Sequence, residues 1–141
     1  MKRGMLAGLF LVLLTSLAWG ADWYRFQGTM SWNWRTVTGQ TERYSQDLDV
    51  LLCYDTTPGS ISVEHPVGNV WCSGEFDREG TKLQFRASSA SGGETLIGRG
   101  SFNAKETTLN LQGSAFLRNL PNRSQFGQYV FRGKFVDIIS R

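Results

Sequence analysis

From Tyr24 to Arg35 the chain alternates without a break. Even positions read Tyr24, Phe26, Gly28, Met30, Trp32 and Trp34; odd positions read Arg25, Gln27, Thr29, Ser31, Asn33 and Arg35. Successive side chains of a β-strand point to opposite faces, so this stretch makes a strand with one aromatic face and one polar face. Wound as a helix, the same residues would scatter their rings all round the cylinder. An isolated hairpin cannot bury such a face in water, so further strands are required.

The rest of the chain supplies them, because period two dominates and no stretch sustains a 3.6-residue apolar period. The first strand runs to about Thr38 and turns at Gly39-Gln40. The second carries Tyr44, Leu48, Val50 and Leu52 on one face and Arg43, Ser45, Asp47 and Asp49 on the other. Its alternation fails at Val50-Leu51-Leu52-Cys53, which predicts a bulge or burial on both sides. Turns at Thr57-Pro58-Gly59-Ser60, at His65 to Asn69 and at Asp77 to Gly80 bound two short strands, Ile61–Glu64 and Val70–Phe76. A fifth strand buries Leu83, Phe85 and Ala87. A sixth runs Thr95–Phe102, after a loop from Ser88 to Gly93. A seventh aligns Leu109, Leu111, Gly113, Ala115 and Leu117. An eighth aligns Tyr129, Phe131, Gly133 and Phe135, with Arg118 to Ser124 as the longest late loop. About eight strongly twisted strands joined by short turns curl and close, which hides both edges. The predicted fold is all-β, a single antiparallel up-and-down barrel of the calycin or lipocalin-like kind. A two-sheet sandwich is the alternative.

Residues 1–20 precede that domain. Lys2 and Arg3, the apolar run Met5 to Leu14, and Ala18 and Gly20 before Ala21 have the layout of a cleaved secretory leader. The apolar run falls short of the roughly 20 residues that span a bilayer. Residues 21–141 are then one exported domain, periplasmic or extracellular. Asn122-Arg123-Ser124 matches a glycosylation sequon. Two cysteines remain, Cys53 and Cys72, and an even count in an exported chain predicts a disulfide. Closing a loop of about 20 residues is worth roughly 3 kcal/mol. Charge is uneven along the chain: residues 21–80 carry 4 Lys/Arg and 9 Asp/Glu, and residues 81–141 carry 9 and 3. Such asymmetry marks an anionic partner unless neighbouring strands mix the two halves in space.

Little in the chain points to catalysis, and no catalytic residue, metal ligand set or cofactor is expected. His65 is the single histidine, in a turn before Pro66, and there is no Gly-x-Ser-x-Gly elbow. Glu64 and His65 point to opposite faces if both are extended, and Asp47 and Asp49 share a face as many solvated pairs do. No zinc spacing or phosphate-cradling glycine loop is present. Nucleic-acid binding is not expected either, because Arg25 and Arg35 lie opposite the aromatic face rather than among its rings. Membrane insertion as a small outer-membrane barrel would need the apolar face outward and strands of roughly 9–11 residues. The third to fifth strands are too short for that.

The aromatic face is the best functional lead. It predicts a non-enzymatic carrier of a small apolar or aromatic molecule, held in the barrel mouth near Trp32, Trp34, Tyr44 and Tyr54. The alternative is a protein-interaction module, such as a periplasmic inhibitor or an envelope-complex subunit, that uses the Ser88 to Gly93 or the Arg118 to Ser124 loop. Ser89-Ala90-Ser91-Gly92, with Leu109-Asn110-Leu111 after the Ala104-Lys105 turn, resembles part of the periplasmic lysozyme inhibitors of the membrane-bound and periplasmic C-type. That resemblance implies an exported barrel whose loop enters a partner's cleft. It covers a small part of the chain. Gly93-Glu94-Thr95 stands where that family has an aromatic residue, and the cysteines do not lie near the two ends of the domain, so no family is assigned.

Overall fold

A computed structural model describes residues 20–35, 38–66, 68–120 and 123–141, with the side chains of 117–120 and 123–125 left out. The leader up to residue 19 and residues 121–122, with the sequon's Asn122, therefore lie outside the described residues. The strands are β1 (Asp22–Arg35), β2 (Thr41–Cys53), β3 (Gly59–His65), β4 (Asn69–Glu79), β5 (Lys82–Ser88), β6 (Glu94–Phe102), β7 (Thr108–Leu120) and β8 (Arg123–Ser140). They form one closed antiparallel barrel in chain order, with β8 returning to β1. That seam runs from Asp22 opposite Ser140 to Arg35 opposite Phe126, with one irregularity at Arg25/Phe26. A single closed sheet rules out the sandwich. β7 and β8 extend to Leu120 and from Arg123, so the expected long late loop is mostly strand.

The even positions of β1 face inward. Phe26, Met30, Trp32 and Trp34 are buried together with Leu48, Val50, Leu52, Phe85, Tyr129 and Phe131. Each fully buried Leu or Phe contributes roughly 1.5–3 kcal/mol. Two glycines let large rings enter. A Cβ on Gly127 would meet the Trp34 indole at 2.5 Å, and one on Gly98 would meet the Tyr129 hydroxyl at 2.6 Å.

Where alternation fails in β2, the structure shows burial on both sides without a register shift. Leu48, Val50 and Leu52 face the interior. Asp49, Leu51 and Cys53 lie on the outer face and are buried as well. Polar groups gather over them. Arg25 donates twice to Asp137, at 2.8 and 2.6 Å, and lies 3.9 Å from Asp49. Arg141 reaches across the wall and donates to both oxygens of Glu64, at 2.6 and 2.7 Å, with its guanidinium 5.9 Å from the Trp23 ring. Burial pushes the Glu64 carboxyl up, but the hydrogen bonds from Arg141 and Ser62 outweigh it and hold it below its ordinary range.

The expected Cys53–Cys72 disulfide is not formed; both thiols are free and buried. The topology forbids it. β3 runs between β2 and β4, so two strand spacings, roughly 9.6 Å, separate their backbones, beyond the 7 Å that a bridge tolerates. The thiols also lie on opposite faces of the wall. Cys72 pairs with Val63 inside, whereas Cys53 pairs with Ser60 on the outer face.

Candidate functional site

Up-and-down connectivity sorts the links by end. The β1–β2, β3–β4, β5–β6 and β7–β8 links share one end. The β2–β3, β4–β5 and β6–β7 links share the other with Ala21 and Arg141. Three of the four residues expected to line a ligand mouth meet at the first end. Trp32 stacks on Trp34 with ring centres 5.2 Å apart and planes 13° apart, and on Tyr44 at 6.1 Å and 24°. Cross-strand register explains the cluster: Tyr44 of β2 and Tyr129 of β8 flank Trp32 on the same face. The Trp34 Nε1–H donates to the Tyr44 hydroxyl at 2.7 Å. Burial pushes the Tyr44 phenol up, and the bond from Trp34 opposes that. Tyr44 is nevertheless half exposed, at 48%.

Tyr54 is not part of this group. It sits at the opposite end, packed against Tyr24 at 5.1 Å and Phe76 at 5.6 Å. The Arg78 guanidinium covers it at 5.2 Å and covers Phe102 at 4.6 Å. Burial pushes its phenol up to about 12. Tyr54 therefore closes the far end.

Two rim residues were missed in the sequence. Trp71 meets Trp32 edge-on at 5.7 Å and donates its Nε1–H to Glu94 at 2.9 Å. His65 lies beside it, ring centres 5.9 Å apart. The signal for Glu94 was present: it shares the inward parity of Leu96, Gly98 and Phe102. A carboxylate at an inward position of a strand end belongs to a rim, not to a core. Trp71 was harder to read, because the register shift between Val63 and Glu64 decides where it points.

Glu94 also ends the β5–β6 loop, which is held by its own hydrogen bonds. The Ser89 amide donates to the Glu94 carbonyl and the Gly92 amide to the Ser89 carbonyl, both at 2.9 Å. The Glu94 amide donates to the Ser89 hydroxyl at 3.1 Å, and the Gly93 amide to the Ser91 hydroxyl at 3.2 Å. Gly92 takes a φ of 76°, which suits a residue without a Cβ. Ala90 and Ser91 stand exposed at the tip.

The interior that a carrier would use is occupied. Trp32 and Trp34 are 2% and 3% exposed, and Tyr129, which meets Trp32 at 5.3 Å, is 2% exposed. Three concavities stand out, and all open to solvent. Two lie on the outer wall, and one of about 510 Å3 lies at the Tyr54 end. Among the buried polar atoms, the Trp32 Nε1–H has no hydrogen-bond partner. Among the described residues no three His, Cys, Asp or Glu side chains gather as a metal site. Fold and rim together define a small closed antiparallel barrel with a filled core and one aromatic end. No family model matches the chain, and no curated protein matches it.

Proposed function

We propose that this protein is an exported, non-enzymatic binding module whose partner is another protein, gripped at the Trp34 end by the β5–β6 loop and the aromatic rim beside it. One observation carries the reading. The barrel interior is filled with rings, while the tip Ala90-Ser91 stands exposed on a loop fixed by its own hydrogen bonds. A loop already held in one conformation loses little freedom on binding. Half-exposed Tyr44 and partly exposed Trp71 flank it with ring surface and polar tips, the side-chain types that anchor protein interfaces. The small-molecule carrier reading needs an open apolar cavity of about 300 Å3 or more, and the packed Trp32, Trp34 and Tyr129 stand where it would be. A spanning barrel fits less well, because the charged outer positions of β1 and β5 reverse the apolar-out order that lipid requires.

The test uses mature protein made in its own host, carrying a photo-crosslinking residue at Ala90 or, as control, at Thr81 on the opposite end. The expected result is one discrete protein adduct from Ala90 and none from Thr81. A Ser91→Tyr variant, which also removes the bond from the Gly93 amide, should lose the adduct while a cooperative thermal melt shows the barrel still folded. No adduct from Ala90, or a stoichiometric small molecule seen by native mass spectrometry and lost in Trp34→Ala, would overturn the proposal.

A further inference from the structure

The charge asymmetry along the chain survives folding. Because strand order follows sequence order, β5 to β8 stay side by side and their cations are not interleaved with the acidic half. At the β4–β5 seam the charges cancel, with Glu75 opposite Arg86 and Glu79 opposite Lys82. Beyond that seam they do not. Arg99 stands between Gln84 and Gln112. Arg132 stands between Asn110 and Thr29, and Lys134 between Thr108 and Gln27. Arg43 faces Asn33. All four cations are exposed, and the ion pairs among the described residues involve only Arg25, Arg78 and Arg141. In register one neutral residue separates each of Arg99, Arg132 and Lys134 from a carboxylate: Gln84 from Asp77, Thr29 from Asp47 and Gln27 from Asp49; Thr29 donates to Asp47 at 3.3 Å.

A groove of about 1100 Å3 opens on this part of the outer wall, from Arg99 on β6 to Arg43 on β2. Four strand spacings separate those flanks, roughly 19 Å along the wall. The sides between them are neutral hydrogen-bonding groups: Asn33, Ser45, Gln112, Ser114 and Gln128, with Val130 and Ile97 as apolar patches. No carboxylate lines it.

We propose that this groove binds an acidic oligosaccharide laid across the strands from Arg99 to Arg43. Guanidinium forks pair with carboxylates through charge-assisted bonds, and amide and hydroxyl side chains between them suit the hydroxyls of sugar rings. A flat lipid surface cannot touch both flanks, which lie four strands apart in an eight-stranded barrel, and Tyr44 is the one half-exposed ring among the lining residues, where a run of stacked bases needs several. The groove meets the aromatic rim at Tyr44 but includes no residue of the β5–β6 loop, so the Ala90 adduct and the Arg43/Arg99 variant test the two readings independently.

Calorimetry on the mature protein at low salt tests it, with oligogalacturonate as the probe. A neutral maltooligosaccharide of the same length and phosphatidylglycerol vesicles serve as comparisons. Oligogalacturonate should bind, the neutral sugar and the vesicles should not, and added salt should weaken binding. The double variant Arg43→Gln with Arg99→Gln should weaken it roughly tenfold or more, since each change removes a charge-assisted bond. Lys82→Gln, whose cation faces Glu79, should leave it unchanged. All these side chains are exposed, and an unaltered thermal melt checks that the fold is intact. The proposal is refuted by no binding, by equal binding of the neutral sugar, by binding to vesicles alone, or by an equal loss in Lys82→Gln.

Discussion

Trp32 and Trp34 are stacked neighbours on one strand, equally buried, yet the same substitution should affect them differently. Trp→Phe at either position deletes the same atoms. The smaller ring leaves a void of roughly 40 Å3, worth about 1 kcal/mol at ~24 cal/mol per Å3. The lost transfer free energy is also alike, because the two residues are 2% and 3% exposed. These contributions cancel in the comparison, and the indole N–H remains. At Trp34 it donates to Tyr44 at 2.7 Å, and losing such a bond costs about 1 kcal/mol net. At Trp32 it is buried without a partner, a burden of roughly 1–3 kcal/mol that phenylalanine removes. Trp34→Phe should therefore be less stable than Trp32→Phe by about 2 kcal/mol or more, the sum of those two effects. Urea unfolding followed by far-ultraviolet circular dichroism measures both, since indole fluorescence is altered by the substitutions themselves. The m-values should match, so that the midpoints report stability alone. Equal destabilisation would refute the reasoning and would mean that the Trp32 N–H is satisfied in solution, by a buried water for example.

Two further outcomes are expected. Unreduced, denatured protein should titrate two thiols, and native protein should react slowly at both, because Cys53 and Cys72 are buried and burial pushes the Cys72 thiol up to about 12; an absence of free thiols in denatured protein would contradict the opposite-face placement. Arg141→Gln should cost about 2 kcal/mol near pH 7, less than for a fully enclosed pair because Arg141 is partly exposed. Glu64 has a folded pKa held below its ordinary value, so the stability it contributes is complete above the unfolded value and fades as pH falls through the folded one. The cost of Arg141→Gln should therefore shrink in acid, and a cost that is flat with pH would show that the ion pair is not its origin.

Much of this barrel is local in origin. The strict alternation from Tyr24 to Arg35 sets the inward face of β1, and the inward parity of Leu83, Phe85 and Ala87 does the same for β5. The placement of Tyr54 was also legible. It lies in the β2–β3 link, and consecutive links of an up-and-down barrel alternate ends, so it could not share a mouth with Trp34. The expectation went astray by treating aromatic residues near any strand end as one group.

What the sequence determined by itself, then, is what depends on neighbours along the chain: strand parity, the turns, the number of strands and the asymmetry of charge. What only the tertiary structure decided depends on which strands stand between which. The disulfide failed because β3 separates Cys53 from Cys72. The outer face of β2 is buried under a side chain from Arg141, whose partner Glu64 is 77 positions away. Trp71 finds Glu94 across 23 positions. The survival of the basic wall was likewise settled by strand order, since strands that follow one another in sequence also stand side by side in this barrel. Backbone alternation is a short-range steric property and can be read from a dozen residues. Pairing between distant side chains is fixed by register and closure, which exist only once the whole sheet has formed.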